Sequence, residues 1–184
     1  TQPLEQSVFN EVSKEITNVL VRVPDIRLFG MPLLKTILTS NNFLQMASGS
    51  MLLAECAWCL GEYCYYLQND ELLALLQHLL NAKHTALAAE VQAAFLQAAF
   101  KLFIEVLDPR NPADVEDPED EPVDIEKHPF DADTITNLIA EVDAALTPFA
   151  QSTFLEVQER ACFMLAAVRQ LELFRNDDID IAAE

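Results

Sequence analysis

From Leu87 to Leu107 the sequence reads LAAEVQAAFLQAAFKLFIEVL. At the turn of about 100° per helical residue, Val91, Phe95, Ala98 and Leu102 line one side. Leu96, Phe100, Phe103 and Leu107 line another, leaving a narrow polar stripe of Glu90, Gln97, Lys101 and Glu105. A helix with two apolar faces cannot be satisfied by one partner, so it demands neighbours on two sides. The same run, taken from Ala86, is the longest candidate for a membrane span. Glu90, Gln92, Gln97, Lys101 and Glu105 would be costly in hydrocarbon, and with no signal-like or Arg-rich leader visible the chain is expected to be soluble.

The rest of the chain reads the same way. Hydrophobic residues make up 51% of 184 and glycine occurs three times, a composition that favours helix over a turn-rich β fold. Helices are expected near Leu4 to Val21, Asp25 to Leu38 (interrupted by Gly30 and Pro32), Met51 to Leu67, Glu71 to Leu80, Leu87 to Leu107, Thr134 to Phe149 and Phe154 to Phe174. A short turn is expected within Asn42 to Gly49. Thr153 with Glu156 has the spacing of a capping box, and Asn69, Asp70 or Asp133 can cap the helices they precede. The last helix is plainly amphipathic: Val157, Ala161, Met164, Leu165, Val168 and Leu171 share a face. Antiparallel pairs stacked in a row, an α-solenoid of HEAT or armadillo type, would cover every apolar face. A compact helical bundle is the competing architecture.

Three of the four cysteines fall in ECAWCLGEYCYY, beside the only tryptophan. On one helix Cys56 and Cys59 lie about 60° apart but Cys59 and Cys64 about 140° apart, so the three cannot converge on a metal. No second cysteine pair exists, and His78 and His84 follow at no standard zinc spacing. Cys56 stands six residues beyond Ser50, the expected cap, and not at the helix N-terminus that would activate a thiol. The segment therefore reads as a core helix. Trp58 is expected to be mostly buried beside the small Ala54, Ala57 and Gly61, and Gly61 to admit a neighbouring helix closely. No catalytic, cofactor-binding or metal-binding residue is assigned: the histidines lack a nucleophile partner, His128 reads as solvent-exposed, Glu55 and Glu62 read as a solvated face, and no Gly-rich phosphate loop occurs.

The formal net charge of −19 excludes nucleic acid and a general attraction to anionic lipid, both of which present phosphates. From Asp108 to Asp131 ten acidic residues face only Arg110 and Lys127, so this stretch holds −8 of the total. It also carries five of the nine prolines and reads as a mobile acidic loop. Either a solvated insertion or a segment for a basic partner fits that composition. The organisation expected is helical repeats over 1–107, the acidic Pro-rich loop over 108–131, a final helical repeat over 132–176 and an acidic tail over 177–184. Crowded cysteines without a disulfide framework point to a reducing cytosol.

The segments ECAWCLGEYCYYLQNDELLALLQ, AAEVQAAFLQAAFKLF and PFAQSTFLEVQERA together resemble the large subunits of the vesicle-coat adaptor complexes. The pieces Ala57 to Tyr63 and Glu156 to Ala161, spaced as here, are most similar to the delta type of adaptor complex 3. The Trp-x-x-Gly-Glu piece is shared with beta-type adaptor subunits, and Leu-Glu-Val-Gln-Glu-Arg-Ala shifts the balance toward delta. The order of segments between about residues 10 and 174 fits the later half of a delta helical trunk, from which the acidic loop departs in composition.

That resemblance implies a non-enzymatic scaffold, a cytoplasmic protein peripheral on Golgi, endosomal or coated-vesicle membranes that supports sorting toward lysosome or vacuole. It implies beta large, mu medium and sigma small adaptor partners and recruitment by an Arf-type GTPase, with no cofactor. No cargo-binding or lipid-binding motif matches a position here. The alternatives are a trunk of a beta-type adaptor or coatomer subunit and a cytosolic helical thiol or metal enzyme using Cys56, Cys59 and Cys64.

Overall fold

The structure is a computed structural model that describes residues 2–45, 49–110, 125 and 127–182, with side chains between 7 and 174. Among the described residues it is helical without a strand. The α-helices are α1 (Gln2–Arg22), α2 (Arg27–Thr39), α3 (Asn41–Leu44), α4 (Ser50–Glu62), α5 (Asn69–Leu79), α6 (Ala89–Leu107), α7 (Ala132–Ala150) and α8 (Leu155–Ala182). Short 3-10 turns at Pro24–Ile26, Cys64–Tyr66 and Ala82–Ala86 join α1 to α2, α4 to α5 and α5 to α6.

Pairings between helices give their directions. Thr17 of α1 donates to Glu55 at 2.7 Å and lies 3.8 Å from the Cys59 sulfur, while the C-terminal end of α1 reaches Tyr63 through Arg27. Gly61 of α4 meets Ala98 of α6, and Cys64, just past α4, approaches Glu105. Arg160 of α8 reaches the Ala93 carbonyl and Gln97, and Phe163 packs edge-on against Phe100. Residue numbers rise together in each case, so α1, α4, α6 and α8 form one parallel row. Lys35 with Glu71 and Leu38 with His78 align α2 with α5. Asn69 with His128 and Gln77 with Glu141 align α5 with α7 in the same sense. The rows oppose each other, since Asp143 pairs with Arg169 and Ala150 with Gln158. Two opposed rows of antiparallel pairs make an all-α solenoid.

The core lies between the rows. Leu52, Leu53, Cys56, Ala57, Cys59 and Leu60 of α4, and Val91, Phe95, Leu96, Ala98, Leu102 and Phe103 of α6, are buried, as the two-faced pattern of α6 requires. Val157, Ala161, Met164, Leu165 and Val168 of α8 are buried as a single face.

Five local expectations are corrected. Helix α2 runs without interruption through Gly30 and Pro32: Pro32 forgoes a bond only to the Leu28 carbonyl in the first turn, and a Cβ on Gly30 would stand 2.7 Å from Leu20. Helix α4 ends at Glu62, so Cys64 sits in the following turn and off the helix axis. The caps are Gln68, in a reciprocal box with Glu71, and Asp131, which accepts from the Thr134 amide at 2.8 Å. The last helix starts at Leu155, so Thr153 lies one residue outside the cap position, and Glu156 pairs forward with Arg160 at 2.7 Å. Helix α8 extends to Ala182, into the stretch read as an acidic tail. The central part of the acidic loop, 111–124 and 126, lies outside the described residues.

Arg27 closes the first hairpin. Its guanidinium donates to the carbonyls of Leu20 and Val21 at 2.8 and 3.0 Å and lies 4.3 Å from the Tyr63 ring centroid. It thus serves carbonyls that the end of α1 leaves without intrahelical partners.

Candidate functional site

The cysteine segment is core, as its spacing indicates. Cys56, Cys59 and Cys64 are buried and unbridged, whereas Cys162 is exposed. Burial above all pushes the Cys56 thiol up to about 12 and those of Cys59 and Cys64 to about 11, away from the thiolate a nucleophile or metal ligand needs. No group of three His, Cys, Asp or Glu side chains among the described residues is placed to hold a metal ion.

Trp58 is mostly covered, as expected, though not fully buried: it packs on the edge of the core with the Lys101 ammonium 5.9 Å from its ring centroid, while Lys101 pairs with Glu62. The space beside Gly61 goes to the backbone of α6 instead: a Cβ there would stand 2.9 Å from Ala98 Cα.

His78 and His84 stack edge to face with centroids 4.9 Å apart, and His84 meets Phe95 in the same way at 5.1 Å. Their ring N–H groups donate to the carbonyls of Leu38 and Leu79. Burial lowers both pKa values below the usual 6.5. This arrangement joins α2, α5, the following 3-10 turn and α6 through neutral rings and presents no nucleophile. His128 is exposed.

The densest polar assembly among the described residues lies on the narrow polar stripe read from the sequence of α6. Glu105, in the last turns of α6, is fully buried. Its Oε1 accepts from Lys127 Nζ at 2.5 Å and from the Arg110 backbone amide at 3.0 Å, and its Oε2 accepts from Arg110 Nε at 2.7 Å. Arg110 also donates to Cys64 Sγ at 3.5 Å and lies 5.2 Å from the Tyr65 ring centroid. Ile125 is buried nearby in sequence. The periodicity of α6 could not reveal this, because the partners come five and twenty-two residues later. The available signal was the placing of the acidic stretch's two lone cations near its two ends.

Outside the core, Phe163 is 65% exposed, and with Leu96, Phe100 and Met164 it lines an open groove of about 340 Å³ between α6 and α8, edged by Gln97 and Arg160. On α2, Phe29 and Leu33 are 74% and 66% exposed. No described helix is long and apolar enough to cross a membrane.

No protein-family profile matches the chain. It is 27% identical over 177 residues to the AP-3 complex subunit delta-1 of Bos taurus, covering 94% of this chain and 13% of that protein. It is 30% identical over 100 residues to the AP-3 complex subunit delta of Eremothecium gossypii, covering 54% of this chain and 10% of that one. The chain therefore spans about a tenth of the length of the curated relatives it matches. Over nearly its whole length it is similar to the bovine delta subunit of adaptor complex 3, and over about half of its length to the Eremothecium gossypii one.

Proposed function

We propose that this chain is a scaffold segment in the trunk of a delta-type adaptor large subunit. The observation that carries the reading is similarity to a delta subunit over 94% of the chain, and the two-row helical stack supports it by offering long lateral surfaces. In this reading 1–107 and 132–176 are HEAT- or armadillo-like repeats, 108–131 is an acidic insertion and 177–184 an acidic end. The complete protein assembles with beta large, mu medium and sigma small chains and is recruited to Golgi or endosomal membranes by an Arf-type GTPase. It supports sorting toward lysosome or vacuole as a peripheral, cytoplasmic coat component, without enzymatic activity. A net charge of −19 leaves contact with anionic membrane to other parts of the complex.

Affinity purification of the full-length protein, followed by identification of its stoichiometric partners, tests this. The expected set is one beta large, one medium and one small chain of adaptor complex 3. Recovery of another coat's subunits, or of stoichiometric zinc with an acidic thiol, overturns the reading.

A further inference from the structure

Glu105, Arg110 and Lys127 form an assembly that neither the fold nor the scaffold role requires. The two cations are the only ones between Asp108 and Asp131, and they flank the described ends of that stretch. Both close on one carboxylate that has no access to solvent: Lys127, whose side chain is 4% exposed, takes Oε1, and the Arg110 guanidinium takes Oε2. A buried carboxylate needs its charge balanced and its lone pairs filled. Here the balancing groups arrive from opposite ends of the same chain excursion. Ile125, 6% exposed, adds an apolar anchor beside Lys127 in sequence. Through Arg110 the assembly also touches Cys64 and Tyr65, the turn between α4 and α5.

We infer that Glu105 is an electrostatic clasp that draws the two ends of the acidic stretch together on the end of α6. The chain excursion between α6 and α7 is thereby tied near both of its ends to Glu105 of α6. Because the Lys127–Glu105 pair is buried on both sides, it resists screening by salt that would loosen a surface ion pair.

Trypsin reads the state of the clasp directly, since it must reach the peptide bond after Lys127. In the wild-type 184-residue chain, cleavage after Lys127 should be at least about tenfold slower than after the exposed Lys83, reflecting the small open population. It should stay so at high salt. Glu105→Gln, which preserves shape and removes the charge, should raise cleavage after Lys127 by about tenfold or more while helicity by circular dichroism is retained. Equal wild-type cleavage at Lys127 and Lys83 overturns the inference by itself, even if the variant fails to fold. A folded Glu105→Gln chain with unchanged cleavage after Lys127 also overturns it.

Discussion

Gly61 and Ala98 bring the backbones of α4 and α6 into contact: a Cβ on Gly61 would stand 2.9 Å from Ala98 Cα and 3.1 Å from its Cβ. Replacing glycine by alanine inside a helix gains about 1 kcal/mol of propensity. Overpacking a tight interface costs about 1–3 kcal/mol, and here the obstruction is backbone that cannot rotate aside. Gly61→Val, which lacks most of the propensity gain, should lower unfolding free energy by about 2–3 kcal/mol. Urea denaturation gives the value, and an unchanged midpoint would mean that the two helices are not in contact at this point.

The acidic stretch has separable ends and middle. Replacing residues 111–124 by a Gly/Ser linker should change stability by only about 1 kcal/mol, because closure entropy grows slowly with length. Replacing 109–129 removes Arg110, Ile125 and Lys127 together and leaves Glu105 buried without a cation, which should cost about 3–5 kcal/mol. A comparison of the two deletions by thermal melting decides; equal effects would show that the ends contribute nothing.

Thiol reactivity should divide the cysteines three to one. A thiol-reactive disulfide reagent at neutral pH should modify Cys162 alone in the native chain, since Cys56, Cys59 and Cys64 are buried. In denaturant all four cysteines should react. Rapid native modification of a second thiol would place one of the three at the surface.

Stability should fall at both ends of the pH range, for opposite reasons. His78 and His84 have folded pKa values below 6.5, so the unfolded chain binds protons first on acidification. Their contribution is present above pH 6.5 and is lost as pH falls through the depressed folded values. The buried thiols have folded values raised from 9.0 to about 11 or 12, so the unfolded chain releases protons first. Their contribution is full below pH 9.0 and is lost as pH rises toward 11. Melting temperature across pH 5 to 7.5 should drop on the acid side in the native chain and drop less in His84→Leu; parallel curves would remove the histidines from the account.

Trp58 offers an optical check. A half-buried ring under Lys101 should show intermediate emission and intermediate quenching by acrylamide, and Trp58→Ala should cost about 2 kcal/mol, below the 3–5 kcal/mol usual for a fully buried aromatic.

What could be read from sequence was whatever depends on one helix at a time. The two faces of α6, the single face of α8 and the small-residue contact at Gly61 follow from spacing alone, and they are sufficient for an all-α stack. Trp58 is mostly covered as read, but small neighbours on its own helix do not determine which group fills the space they leave, and beside Gly61 the backbone of α6 fills it. Glu105 escaped for a related reason: on a helical wheel it belongs with Glu90 and Lys101, and only the return of the chain at Lys127 converts that position to interior. The caps shifted by a residue or two because several polar side chains before α5 and α7 could serve and the entry of the chain chose between them.

The opposed rows have an electrical consequence. Each helix carries about half an elementary charge of opposite sign at its two ends, and neighbours that run the same way align those partial charges along one rim. A single such row would accumulate an unfavourable field with every helix added. The row of α2, α5 and α7 presents the opposite ends at each rim, so the fields largely cancel pair by pair. Such a slab can be extended by further pairs without a growing electrostatic burden, and its length is then limited by how its last apolar faces are covered.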